Sequence, residues 1–106
     1  MSKTCAINCL VLGDPEESIF TVKIQAADNI SALRSEIKIE RGGLFKDIDA
    51  AEITLNTIFK QYDKIKDLTE LPRPTLKPLL NIGRVFEHLN LEEVHVIIGR
   101  PPPAGN

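Results

Sequence analysis

The sequence has only two cysteines, no long hydrophobic run and no excess of basic residues, and each absence excludes a class of protein. If Cys5 and Cys9 lie on one strand, they are about 13 Å apart, beyond the roughly 7 Å that a disulfide allows between Cα atoms. We therefore expect two reduced, half-buried thiols. No apolar run approaches the roughly 18 residues of a membrane span. Residues 1–12 also lack the pattern of a signal peptide with a small-residue cleavage site.

The balance of charge is slightly acidic, because 13 lysines and arginines face 15 aspartates and glutamates, for a formal net charge of −2. Nucleic-acid binders usually carry a basic field that releases phosphate counterions, so we expect no nucleic acid to bind this domain. A chain of 106 residues is one small domain. It can hold one compact core but has little volume left for a deep active-site cleft.

Alternation of apolar and polar residues predicts four strands. They are residues 5–12, 19–24, 51–58 and 94–99. The first and last strands are the most apolar, so pairing them at the centre of a sheet buries the most surface. A short polar turn joins the first two strands, which predicts an antiparallel hairpin.

Apolar residues recur at helical spacing between Ile30 and Ile37 and predict the main helix. Either Asp28 or Asn29 can cap its first turn by accepting a free amide proton. Gly42–Gly43 is predicted to end the helix as a left-handed C-cap.

The second half of the chain is less regular. Residues 81–89 predict a short helix with Asn81 as its cap. Residues 59–77 predict a surface excursion with a turn or two of helix. The order of elements predicts an α+β protein of the β-grasp type, with a mixed sheet of four to five strands, one main helix and a short second helix.

Five short segments, taken in order, also match a known family. They are Cys9–Asp14 (CLVLGD), Ser18–Ile24 (SIFTVKI), Ile30–Lys38 (ISALRSEIK), Phe45–Ala50 (FKDIDA) and Val94–Ile98 (VHVII), with prolines after the last. In this order the chain resembles the ubiquitin-like N-terminal header of Crinkler effectors, the crinkling- and necrosis-inducing family of oomycetes and fungi. The resemblance implies a header domain at residues 1–100 and a proline-rich tail at residues 101–106.

This resemblance implies a function as well as a fold. Header domains are non-catalytic trafficking and protein-interaction modules that accompany a secreted effector into host cells, often toward the nucleus. The implied partners are host proteins, the implied secretion uses no recognisable signal peptide, and no cofactor or metal is implied.

Oomycete members carry a Leu-Phe-Leu-Ala-Lys translocation motif after the start of the third strand. The nearest stretch in this sequence consists of Leu55, Asn56, Thr57, Ile58, Phe59 and Lys60. It keeps only Leu55 and a lysine one place late. The chain is therefore more similar to fungal members, in which the motif is degenerate.

Ubiquitin offers a more distant comparison, because its last strand, Leu-His-Leu-Val, is similar to Val94–Ile97. By this resemblance His95 and Ile97 lie on an exposed sheet face that meets partners. The alternative is that the excursion at residues 59–77 folds over this face and covers it. Prolines replace the diglycine tail of ubiquitin, so we expect no conjugation.

Two other classes of function stay open. A self-associating adaptor would pair a sheet face or an edge strand with a second copy, giving a homodimer. A small metal- or thiol-dependent enzyme would use Cys5, Cys9, His88 or His95, although the sequence has no Cys-x-x-Cys or His-Glu-x-x-His spacing. The lysines of the excursion alternate with acidic residues, which favours a solvated surface over a basic docking patch.

Overall fold

The computed structural model describes residues 3–73 and 75–99. Its helices and strands, in chain order, are β1 (Thr4–Val11), β2 (Phe20–Gln25), α1 (Ile30–Glu40), β3 (Leu55–Lys60), α2 (Ile82–Val85) and β4 (Val94–Ile98). Three-residue 3₁₀ turns lie between them at Glu16–Ser18, Ala50–Glu52 and Tyr62–Lys64. The predicted tail at residues 101–106 is outside the described residues.

The strands form one mixed sheet in the order β2-β1-β4-β3. β1 runs antiparallel to β2 and parallel to β4, with Cys9 opposite Val96. β3 runs antiparallel to β4 at the other edge. The predicted α+β, β-grasp-like fold is confirmed, with four strands, a main helix and a short one. β1 and β4 take the centre because both carry apolar residues on their two faces.

Local polar contacts determine where α1 begins and ends. The Asn29 side chain accepts a hydrogen bond from the Ala32 amide at 3.0 Å, so Asn29 is the cap of the two candidates. The predicted left-handed C-cap at Gly42–Gly43 is wrong, because the helix ends at Glu40 and Arg41 follows with φ of −120°. Among the described glycines, Gly13 has the positive φ, 90°, in the turn after β1.

The strand bounds differ from the predictions by one residue at β1, β2 and β4, and by more at β3, which also extends to Lys60 instead of residue 58. The second helix is shorter than predicted. The third strand begins at Leu55 rather than residue 51, because Ala50–Glu52 forms a 3₁₀ turn. The second helix is limited to Ile82–Val85, since Phe86 leaves the helical backbone conformation with φ of −112° and ψ of 44°. Asn81 caps this helix as predicted, accepting the Arg84 amide at 3.0 Å.

Apolar layers pack on both faces of the sheet. The layer beneath α1, here called the helix-side core, contains 17 buried residues, including Leu33, Phe86 and Val96. On the opposite face lies a smaller layer, here called the cover-side core. Its buried members are Leu10, Ile65, Val94 and Ile97, and half-buried members include Tyr62, Leu68 and Leu71. Residues 61–71 supply the outer half of this layer, and we call them the cover segment.

Candidate interaction face

The two residues assigned to partner binding both lie on β4 and are both buried. His95 is 0% exposed and Ile97 is 1% exposed. The expectation that they form an exposed face is therefore wrong: the excursion covers Ile97, whereas His95 is buried between Asn8 and Asn90 with its ring beside Phe59. The cause is apolar burial, because Ile65 and Leu68 of the cover segment pack in one cluster with Ile97. Their role in partner binding stays a prediction, and it requires the cover segment to move.

The imidazole of His95 is held by hydrogen bonds at both nitrogens. The Asn8 amide donates to Nδ1 at 2.9 Å, and Nε2 is 2.7 Å from the Asn90 carbonyl oxygen, to which it donates. This arrangement requires the neutral ring with its proton on Nε2. The Phe59 ring lies 6.1 Å away between centroids. Both nitrogens are thus occupied, so His95 acts as a structural side chain rather than a free metal ligand.

The Asn8 side chain continues this polar network across the sheet. Its Nδ2 donates to the carbonyls of Leu91 at 3.0 Å and Glu93 at 2.8 Å. Its Oδ1 accepts the Thr21 hydroxyl at 2.7 Å. Asn8 therefore fixes the loop before β4 to both β1 and β2. The signal in the sequence was a lone asparagine within an apolar strand, but its long-range partners could not be foreseen.

Replacing Asn8 by alanine is expected to lower the free energy of unfolding by about 2 kcal/mol, because three side-chain hydrogen bonds are lost together. The Thr21→Ala variant loses one of them and is expected to lose about 1 kcal/mol at most. Urea unfolding of both variants and the wild type measures the difference. Equal losses in the two variants would contradict a central role for Asn8.

The six residues at the position of the translocation motif form β3. Leu55 and Asn56 are buried, Thr57–Phe59 is half-buried and Lys60 is exposed. Besides its pairing with β4, the strand is tied on its other side, where the Leu76 amide donates to the Leu55 carbonyl at 2.8 Å. The stretch is therefore part of the sheet, and Lys60 carries its one exposed side chain.

A backbone irregularity lies within this strand. The register with β4 shifts between Thr57 and Lys60, and Phe59 adopts a positive φ of 48°. A bulky side chain rarely takes this conformation, so the surroundings must hold it there. The Phe59 ring packs edge-on against Phe86 with centroids 6.0 Å apart. This packing of aromatic rings fixes the bulge.

The groups considered for metal or thiol chemistry are not arranged for it. Cys5 and Cys9 are free and buried, and burial raises the pKa of the Cys9 thiol, which keeps it protonated at neutral pH. His88 is exposed and lies outside the His95 network. Within residues 3–73 and 75–99, no group of three or more His, Cys, Asp or Glu side chains could hold a metal ion. No helix in those ranges is long and apolar enough to cross a membrane.

Two open grooves border the polar network. One, of about 460 Å³, runs between the start of the cover segment and the sheet; Ile19, Tyr62 and Val94 line it together with acidic side chains at Glu16, Asp63, Glu92 and Glu93. The other, of about 630 Å³, is lined by residues 3–6 and 86–91.

Comparison with known proteins places this fold in a family. The model of the Crinkler effector protein N-terminal domain matches residues 6–99. A comparison with curated proteins found no match. The matched range begins within β1 and ends one residue after β4, so it spans the sheet, both helices and the cover segment.

Proposed function

Because the chain belongs to the family of Crinkler effector N-terminal domains, we propose that it is a non-catalytic header that directs an attached effector into host cells and toward the nucleus. The observation that carries the proposal is the extent of the family match, which coincides with the folded domain. The chemistry of the interior supports it, since the His95 ring is engaged at both nitrogens and the Cys9 thiol is buried. Secretion without a recognisable signal peptide is part of the same proposal.

A reporter fusion tests the proposed delivery. The full chain is fused ahead of a fluorescent protein and produced in the effector-secreting organism during contact with host cells. We expect fluorescence inside host cells and nuclei, and none for the fluorescent protein alone. A Val96→Asp header, which places a carboxylate in the helix-side core, is the unfolded control. Equal delivery by the control would contradict the proposal that the folded header is required.

Among the six residues at the motif position, Lys60 has the exposed side chain that a delivery receptor can contact. We propose that a receptor recognises this lysine. Lys60→Ala is expected to reduce delivery about tenfold, the effect of losing one charge-assisted hydrogen bond. Lys66→Ala is the matched control, because Lys66 is also an exposed lysine near β3 but lies outside the motif position. Quantifying delivered reporter for both variants is the measurement. An unchanged Lys60→Ala fusion would leave the motif position without a role.

We assign the interaction role to two residues of β4, His95 and Ile97. Ile97 pairs directly with Leu10 on β1, so the two strands present a continuous apolar strip suited to a host protein surface with apolar side chains. Affinity capture with wild type and Ile97→Asp tests it, with Leu79→Asp as a surface control because Leu79 is 84% exposed. A host protein retained by the control and lost with Ile97→Asp is the expected result. Retention by all three would move the binding site elsewhere.

Self-association is the second candidate function, and the position of β2 favours it. β2 is an edge strand, and its exposed residues Thr21 and Lys23 face away from the core. Among the described residues, no backbone hydrogen bond joins the open edge of β2 at Thr21 or Lys23 to another segment. This leaves room for a second copy to add a strand. Sedimentation at several concentrations tests this; a monomer at every concentration would exclude it.

A further inference from the structure

The cover-side core, which includes the layer over Ile97, is built differently from the helix-side core. We propose that the cover segment, residues 61–71, is an autoinhibitory cover that opens while the sheet stays folded and thereby exposes Leu10, Val94 and Ile97. The opening itself is independent of the function proposed above. That a host protein then occupies the exposed strip rests on that proposed function.

The cover segment has its own hydrogen bonds, and none of those described in residues 3–73 and 75–99 joins it to β1 or β4. The amides of Lys64, Ile65 and Leu68 donate to the carbonyls of Gln61, Tyr62 and Ile65 at 2.9 to 3.0 Å. The ladders of the sheet therefore remain complete when the segment leaves.

The apolar layer that opening disturbs is the smaller of the two cores, and the cover segment contributes to it the buried Ile65 and the half-buried Tyr62, Leu68 and Leu71. Of the four buried residues in the cover-side core, Ile65 belongs to the cover segment and the other three belong to the sheet. The 17 buried residues of the helix-side core lie on the other face and keep their contacts. Because the larger core does not depend on the cover, local opening is separable from global unfolding.

A buried polar group lies just beyond the C-terminal end of the cover segment. Asn56 is 1% exposed, and its Nδ2 donates to the Pro72 carbonyl and to the Thr75 hydroxyl, the latter at 3.1 Å. Its Oδ1 is buried and has no hydrogen-bond partner among the described residues. The bonds to Pro72 and Thr75 hold the chain immediately after the cover segment to β3, so residues 61–71 can move while residue 72 stays in place.

The other end of the cover is already open to solvent. Tyr62 and Asp63 line the groove of about 460 Å³ together with Ile19 and Val94. The outer surface of the segment carries exposed charged side chains at Asp63, Lys64, Lys66, Asp67 and Glu70. A released cover therefore stays solvated, while the strip beneath becomes available. Apparent affinity for a partner falls with the fraction of molecules that are closed, which makes the contact autoinhibitory.

Cysteine labelling of neighbouring residues tests the opening. Ile97→Cys places a thiol under the cover, and Val96→Cys places one in the helix-side core on the same strand. Native protein is treated with N-ethylmaleimide, and the labelled positions are identified by peptide mass. We expect labelling at residue 97 to be about 100-fold faster than at residue 96, since local openings cost less free energy than global unfolding. The natural Cys9 serves as an internal control and should label at the slow rate.

Hydrogen exchange on the unmodified protein measures the opening without relying on the folding of any variant. The amides of the cover segment should exchange at rates unaffected by low denaturant, whereas those of β1 and β4 should follow global unfolding. The Leu71→Cys/Gly99→Cys variant is built to lock the cover with a disulfide, since a Cβ at Gly99 would lie 3.3 Å from Leu71 Cδ1 and the two side chains are therefore neighbours. Peptide mass first confirms that the disulfide forms. The oxidised form should slow exchange in the cover, and reduction should restore it.

The outcomes separate this inference from the proposed function. If residues 96 and 97 are labelled at equal rates, and the cover segment exchanges only through global unfolding, the proposed opening of the cover segment is wrong. That result would not affect the proposed delivery function. If the cover opens, the oxidised Leu71→Cys/Gly99→Cys protein should capture less host protein than the same protein reduced, which supports autoinhibition. Equal capture by both forms would overturn autoinhibition and place binding on another surface.

Discussion

The Val96→Asp variant is expected to be unfolded, whereas Ile97→Asp is expected to keep the sheet and α1. Both residues are on β4 and almost fully buried, at 0% and 1% exposed. Val96 points into the helix-side core, where a carboxylate has no route to water. The cost of an unpaired buried charge is several kcal/mol, comparable with the roughly 5 to 15 kcal/mol that holds a domain of this size together.

In the Ile97→Asp variant the new carboxylate faces the cover segment instead. The carboxylate becomes solvated once that segment opens. Circular dichroism and two-dimensional NMR of both variants measure the contrast. We expect a random-coil spectrum for Val96→Asp. For Ile97→Asp we expect native shifts in α1 and β2, with changed shifts confined to residues 61–71 and the adjoining strands. If the two variants unfold to the same extent, the faces of the sheet do not differ as described.

Phe86→Ala is expected to lower the free energy of unfolding by about 3 to 5 kcal/mol, the range for large aromatic truncations in a core. Phe86 is 1% exposed and follows α2 directly. Its ring contacts Phe59, the residue that holds a positive φ at the bulge of β3. Truncation therefore leaves a cavity and also removes the contact that fixes a strained backbone.

Leu79→Ala is the matched control, because Leu79 is 84% exposed and its truncation should cost less than about 0.5 kcal/mol. Guanidinium unfolding gives both values, with the slope of the transition as a check that the folded state is unchanged. A loss below about 1 kcal/mol for Phe86→Ala would show that the site collapses around the smaller side chain. In that case the bulge at Phe59 is held by other contacts.

The central pairing and the main helix could be predicted because their signals are local. Residues 5–12 and 94–99 are apolar on both faces, which is the pattern of strands with neighbours on each side. The apolar spacing between Ile30 and Ile37, with Asn29 before it, encodes a capped amphipathic helix. The helix and the apolar character of each central strand depend on consecutive residues, and the pairing of the two strands follows from the surface that it buries.

The interaction face could not be predicted in the same way, because its burial depends on contacts between distant segments. Ile65 and Ile97 are far apart in sequence, and no short pattern shows that they meet. The network of Asn8 and His95 joins residues 87 positions apart. The C-cap at Gly42–Gly43 failed for a related reason, since a glycine pair permits a left-handed turn without requiring it.

The proposed interaction face and its regulation both depend on the cover segment lying over Ile97. Methyl-labelled NMR spectra of the wild-type chain measure it directly, through nuclear Overhauser contacts of the Ile97 side chain. We predict cross-peaks from the Ile97 methyl groups to those of Ile65 and Leu10, and none to those of Leu33 on α1. The contrary result would be that the Ile97 methyl groups show no cross-peaks to the cover segment and are accessible to a soluble paramagnetic probe in every molecule. That result would contradict the burial of Ile97 beneath the cover segment.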